Sequence, residues 1–170
     1  MIVQFIGLGY IGLPTAAVVA QHGIKVHGVD VNQKVVETIN RGEIHIIEPG
    51  LEAIVKEGVQ NGLFKASLTP TIADVHLIVV PTPFKGNHEP DISFVEAGTK
   101  SVLPFLKDGD TFIVESTSPV GTTEKMAELI FKVRPELKDR IFIAYCPERV
   151  LPGNVLNELI YNDRSIGGIN

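Results

Sequence analysis

Gly7, Gly9 and Gly12 stand in the spacing Gly-x-Gly-x-x-Gly, directly after the apolar run Ile2 to Ile6 and before the alanine-rich stretch Leu13 to His22. Strand, glycine turn and helix in that order form an anion site. Gly7 permits a tight turn, Gly9 lets backbone approach a pyrophosphate, and Gly12 lets the helix pack close to the strand. The helix N-terminus, with its free N–H groups and positive dipole end, then faces the phosphates. Pro14 suits the first turn of that helix, where a missing N–H costs no hydrogen bond.

Asp30 ends a second apolar-rich run, Lys25 to Val29, at roughly the 20-residue interval where a carboxylate meets a ribose in dinucleotide-binding βαβ units. The context lifts the glycine pattern above chance. A carboxylate there accepts a hydrogen bond from the 2′-hydroxyl of NAD and repels the 2′-phosphate of NADP. No Arg follows directly to offset the repulsion, and Lys34 is the nearest cation, so the residues point to NAD. The other role open to Asp30 is a helix N-cap ahead of Val31-Asn32-Gln33.

Three further segments present hydroxyl or charged groups after apolar runs: Pro81-Thr82-Pro83-Phe84, Glu115-Ser116-Thr117-Ser118-Pro119 and Cys146-Pro147-Glu148-Arg149-Val150-Leu151-Pro152. In open α/β sheets ligands bind beyond the carboxyl ends of the strands, which is where these segments fall. Thr82 and Thr117 are placed to contact a dinucleotide lying across the sheet. Thr122 and Thr123 need no role beyond capping a helix. Glu148 and Arg149 read either as a solvated ion pair or as a functional pair, with Arg149 holding an anionic or hydroxyl-rich substrate and Glu148 orienting water or moving a proton. Cys146, alone at the end of an apolar strand, reads as a small buried residue rather than a nucleophile.

The elements that must position these groups alternate along the chain. Helices are expected at Gln33 to Asn40, over Leu51 to Val59, from Ile92 to Leu106 behind a capping Asp91, and from Gly121 or Thr122 through Val133. Strands are expected at Leu63 to Leu68, Val75 to Val80, Thr111 to Val114 and Ile141 to Tyr145, with a short helix or turn at Thr69 to Ala73. The near-continuous apolar run at Val75 suits a strand covered on both faces. The alternation predicts a doubly wound, Rossmann-like α/β fold: a mostly parallel sheet with helices on both faces.

Composition sets outer limits. With 170 residues the chain suits one domain, residues 1–170, and a net charge of −5 without a basic cluster argues against a nucleic-acid surface. No apolar run is long enough to span a bilayer, and a strand starting at residue 2 leaves no room for a leader, so a cytoplasmic protein is expected. One cysteine excludes an internal disulfide. The five histidines, His22, His27, His45, His76 and His88, lack ligand spacing, so no metal is expected and each reads as a surface or boundary residue.

The motifs Gly7 to Pro14, Asp30-Val31-Asn32, Pro81-Thr82-Pro83, Glu115-Ser116-Thr117 and Pro147-Glu148-Arg149 resemble, in order, the N-terminal half of the nucleotide-sugar 6-dehydrogenases. The resemblance covers essentially the whole chain. Glu43 to Pro49, Phe84 to Asp91, Thr117 to Gly121 and Ala144 to Gly153 look specifically like the branch acting on UDP-N-acetyl-D-mannosamine, although the UDP-glucose and GDP-mannose branches share most motifs. The resemblance implies oxidation of a sugar C6 alcohol to a carboxylate with two NAD, for bacterial surface polysaccharide. It implies NAD contacts from Tyr10, Ile11, Asp30, Thr82 and Thr117, and UDP-sugar contacts from Arg149 and Val150. It further implies a homodimer built through a central region, and a nucleophilic Cys with Lys and Asn neighbours in later domains. The chain ends at Arg164 to Asn170, read as a last strand and its exit, so a domain fragment without a complete active site is expected. A stand-alone NAD-sensing module is the competing reading.

Overall fold

The apolar runs at Ile2–Ile6 (β1) and Lys25–Val29 (β2) pair in parallel, joined by the helix Gly12–Gln21 (α1), in the computed structural model of the protein, which describes residues 1–169. The chain continues through Gln33–Asn40 (α2), Leu51–Gln60 (α3), Phe64–Ser67 (β3) and Val75–Ile78 (β4). A small hairpin, Phe84–Lys85 (β5) and Glu89–Pro90 (β6), precedes Ser93–Val102 (α4) and Thr111–Val114 (β7). Thr122–Val133 (α5), Phe142–Tyr145 (β8), Val155–Tyr161 (α6) and Gly167–Gly168 (β9) complete it.

The large sheet has the order β3-β2-β1-β4-β7-β8-β9, parallel except for β9 at the edge. This is the expected doubly wound arrangement. Register decides where function can sit: Ile6 lies level with Val29 and Ile78, Ile78 with Val114, and Val114 with Tyr145. Gly7, Asp30, Val79, Glu115 and Cys146 therefore all leave the sheet along one edge.

Strand alternation sends side chains into two cores. Phe5, Leu8, Leu13, Ile39, Leu51 and Phe64 fill the one under α1 to α3; Ile78, Val95, Phe112, Met126, Ile130 and Ile143 fill the one under α4 and α5. Each fully buried side chain of this size contributes roughly 1.5 to 3 kcal/mol relative to an exposed one. Polar groups interrupt the second face. Gln4 Nε2 lies 2.9 Å from His76 Nδ1, and His76 Nε2 lies 3.4 Å from Asp110 Oδ2, with His76 and Asp110 wholly buried.

His76, expected at the surface or a boundary, is instead buried on β4, and Thr122 and Thr123, expected as caps, lie buried inside α5 behind a Gly121 N-cap, with the Thr122 hydroxyl donating to the Pro119 carbonyl. Three expectations about elements also change. Thr69 to Ala73 forms no helix or turn, because side chains hold it open: Thr71 N–H donates to Gln4 Oε1, and the Ser67 hydroxyl donates to the Thr69 carbonyl. The helix expected to reach Leu106 stops at Val102 and tightens into a 3₁₀ turn, Leu103–Phe105, since Pro104 lacks the N–H that an α-helix needs. Asp91 acts at its start through Ser93 N–H, 2.9 Å away. Finally, α6 and the β5–β6 hairpin are additions to the expected elements.

Candidate cofactor-binding site

The glycine turn crosses from β1 to α1 under close constraint. Gly7 has φ +101°, and a Cβ there would lie 2.3 Å from the Val79 carbonyl oxygen. A Cβ on Gly12 would meet the Gly7 carbonyl oxygen at 2.0 Å. Gly9 differs: a Cβ there meets nothing within 4 Å, so the protein itself does not demand glycine. The space above Gly9 is open. Gly12 thus acts beneath the turn, as helix packing requires.

Over the turn a cavity of about 760 Å³ runs along the carboxyl edge of the sheet. Gly7, Gly9, Tyr10, Ile11 and Asp30 line its β2–β1 end, and Thr82, Thr117, Glu148 and Val150 line the rest. Gly12 and the exposed Arg149 do not line it. The backbone N–H of Arg149 instead donates to Glu148 Oε1 at 2.6 Å.

Asp30 holds the two turns together. Its Oδ2 accepts from Leu8 N–H at 3.1 Å and its Oδ1 from Asn32 N–H at 2.9 Å. The cap of α2 is Asn32, whose side chain accepts from Lys34 N–H, so the N-cap role does not belong to Asp30. A carboxylate has about four acceptor positions, which leaves capacity for a ribose hydroxyl. His45, expected at a surface or boundary, stands beside this carboxylate: desolvation lowers its pKa, opposed by the Asp30 charge and the Leu8 backbone.

Ser116 fastens the ends of β4 and β7. Val80 N–H donates to its hydroxyl oxygen at 2.9 Å, and the hydroxyl lies 2.8 Å from the Val80 carbonyl. The Thr82 hydroxyl donates to the Thr117 carbonyl at 2.7 Å, which brings two sequence-predicted residues together across the same gap. Apolar runs flanking these positions signalled strands, but no spacing signalled the pairing.

Glu148 is not in an ion pair with its neighbour Arg149. Its partner is Arg164, whose Nη2 donates to Glu148 Oε2 while Nη1 donates to Glu115 Oε1 at 3.0 Å. Glu115 is buried; burial pushes its carboxyl up, and the Arg164 guanidinium opposes that. Cys146 is buried and free, 3.8 Å from Arg164 Nη1.

A second long-range anchor is Glu48, three residues before α3. It is buried, and it accepts from Gly153 N–H at 2.8 Å and Val155 N–H at 2.7 Å. It therefore satisfies the N-terminus of α6, and the loop carrying Glu148 to Val150 is held at that end. Among the described residues no group of three His, Cys, Asp or Glu is gathered to hold a metal, and no helix is long and apolar enough to cross a membrane.

The residues fit NAD on this geometry: open space over Gly9, a helix N-terminus behind it, and a carboxylate with spare acceptor capacity at one end of a long cavity. Comparison with known proteins agrees. Residues 1–170 match the NAD binding domain of the UDP-glucose/GDP-mannose dehydrogenase family. The UDP-N-acetyl-D-mannosamine dehydrogenase of Escherichia coli (strain K12) is 57% identical over 175 residues, covering 98% of this chain and 42% of that protein. The structure of the UDP-N-acetyl-mannosamine dehydrogenase from Staphylococcus aureus superposes with a TM-score of 0.94 at 43% identity, over 100% of this chain and 42% of that one. A ternary complex of GDP-mannose dehydrogenase from Pseudomonas aeruginosa gives 0.94 at 27% identity, over 100% of this chain and 41% of that one. The chain thus spans less than half the length of these relatives. With its glycine turn, Asp30 and strand-end cavity in the family's NAD binding domain, this chain belongs to the UDP-glucose/GDP-mannose dehydrogenase family.

Proposed function

We propose that residues 1–170 are the NAD-binding part of a dehydrogenase that oxidises the C6 alcohol of UDP-N-acetyl-D-mannosamine to a carboxylate, using two NAD. The observation that carries this is the single cavity running from Asp30 to Glu148 across the strand ends, in a chain 57% identical to a UDP-N-acetyl-D-mannosamine dehydrogenase. Bound NAD supplies the hydride acceptor. The chain's own residues bind and orient. Backbone N–H groups of the glycine turn take the pyrophosphate, and Asp30 accepts from the adenosine ribose. Tyr10 and Ile11 flank that half, while Thr82 and Thr117 direct the cofactor across β4 and β7. Glu148 orients water or acts in proton transfer at the reacting end, and Val150 with the outward Arg149 faces the sugar nucleotide.

This chain alone lacks a nucleophile poised for the second oxidation, since Cys146 is buried. A covalent thiol step splits the oxidation of an aldehyde into easier parts, and a missing wall leaves the reacting atoms unaligned. The proposed domain is therefore the cofactor-binding part of a longer enzyme, in keeping with its covering 42% of the length of its relatives. The test is calorimetric titration of the chain with NAD, followed by UDP-N-acetylmannosamine while NADH absorbance is recorded. NAD binding without sustained NADH is expected. Sustained NADH that disappears in Cys146→Ser would overturn the fragment reading, and absence of NAD binding would overturn the cofactor reading.

A further inference from the structure

The cavity end farthest from Asp30 gathers two carboxyl groups around one partly buried cation, Arg164, which opposes the upward push that burial gives the Glu115 carboxyl. The Glu115 side chain is wholly buried at the end of β7, with Oε1 on Arg164 and Oε2 buried without a hydrogen-bond partner among the described residues. The same guanidinium takes Glu148, whose side chain is 6% exposed. Both carboxylates belong to residues lining the cavity. Two carboxylates thus share one guanidinium. The other groups facing them are the Cys146 thiol, 3.8 Å from Arg164 Nη1, and the Arg149 backbone N–H; the exposed Arg149 guanidinium is screened by solvent.

Strand order gives this excess charge a target. Asp30 follows β2, the glycine turn follows β1, and Glu115 and Glu148 follow β7 and β8, so a dinucleotide with its adenosine ribose on Asp30 would extend its nicotinamide along the cavity toward the two glutamates. That ring is the part of the cofactor whose charge changes: a pyridinium cation when oxidised, neutral when reduced. Resting on the cofactor reading above, we propose that Glu115, with Glu148 and Arg164, is a redox-state selector that favours the oxidised over the reduced cofactor. The uncompensated charge attracts the pyridinium and has no such attraction for the dihydropyridine. A low-dielectric surrounding strengthens the effect, and burial of Glu115 supplies it. The oxidised cofactor is thereby held for reaction and the reduced product is released more readily.

The test is calorimetric titration of wild type, Glu115→Gln and Glu148→Gln with NAD+, NADH and ADP-ribose at pH 8. Removing one negative charge should move the ratio of NAD+ to NADH affinity toward NADH by roughly tenfold, the size expected for one charge acting across about 10 Å of protein. A structural defect that leaves the charge balance unimportant weakens both forms equally. An unmoved ratio in either folded variant overturns the proposal. Should Glu115→Gln not fold, Glu148→Gln decides alone. ADP-ribose, which lacks the nicotinamide, separates the two readings: wild type that fails to bind it sinks the cofactor site itself, whereas binding with an unmoved ratio sinks only the selector.

Discussion

Asp30 Oδ2 accepts a hydrogen bond from the Leu8 backbone N–H at 3.1 Å, which ties the carboxylate after β2 to the middle of the glycine turn after β1. The residue that would choose the cofactor also shapes the loop that would hold its phosphates. Asp30→Ala removes both, so NAD affinity should fall by at least the roughly 1.5 to 3 kcal/mol of one charge-assisted hydrogen bond. Titration of NAD and NADP against wild type and variant checks this. Equal or tighter NADP binding by the wild type would refute the carboxylate's selective role.

Gly7 and Gly9 should fail in different ways. Gly9→Val adds a side chain into open space, so the variant should melt close to wild type yet lose NAD binding by blocking the pyrophosphate. Gly7→Ala combines an unfavourable φ with a Cβ 2.3 Å from a carbonyl oxygen, and should lower the melting temperature instead. Thermal melts paired with NAD titration separate the two. A folded Gly9→Val with wild-type affinity would move the phosphate site elsewhere.

Glu48→Ala should loosen the loop that carries Glu148. It deletes two charge-assisted hydrogen bonds at the start of α6, one buried and one partly buried, a loss of roughly 2 to 4 kcal/mol. Amide exchange at residues 150–155 should quicken, with β1 and β2 unaffected. Uniform protection across the chain would show that the loop is held by other contacts.

His76 should make stability depend on pH. Burial lowers its pKa, with Asp110 opposing, so between the folded value and about pH 6.5 the unfolded chain binds more protons than the folded one. Its contribution is whole above pH 6.5 and is lost as pH falls below it. Urea unfolding of wild type from pH 8 to 5.5 should show stability declining through that window. His76→Gln should be less stable throughout but decline less steeply, since His27 and His45, also lowered, still titrate. Identical slopes would place the proton uptake elsewhere.

Local pattern determined much of this protein. The apolar run before Gly7, the glycine spacing and Asp30 at the end of the next run define a βαβ unit through neighbours in sequence, and β1, β2, β7, α2 and α5 fall where periodicity and turn residues put them. Tertiary structure alone decided which distant groups meet. Arg164 crosses to Glu115 and Glu148, and Glu48 caps a helix more than a hundred residues away. Turn chemistry and periodicity are properties of a short segment, whereas an ion pair or a distant cap depends on strand order and register. Parallel pairing of β1, β4, β7 and β8 with level ends is what brings those strand-end residues to one edge, because the sheet's hydrogen bonds, not the sequence spacing, set their distances.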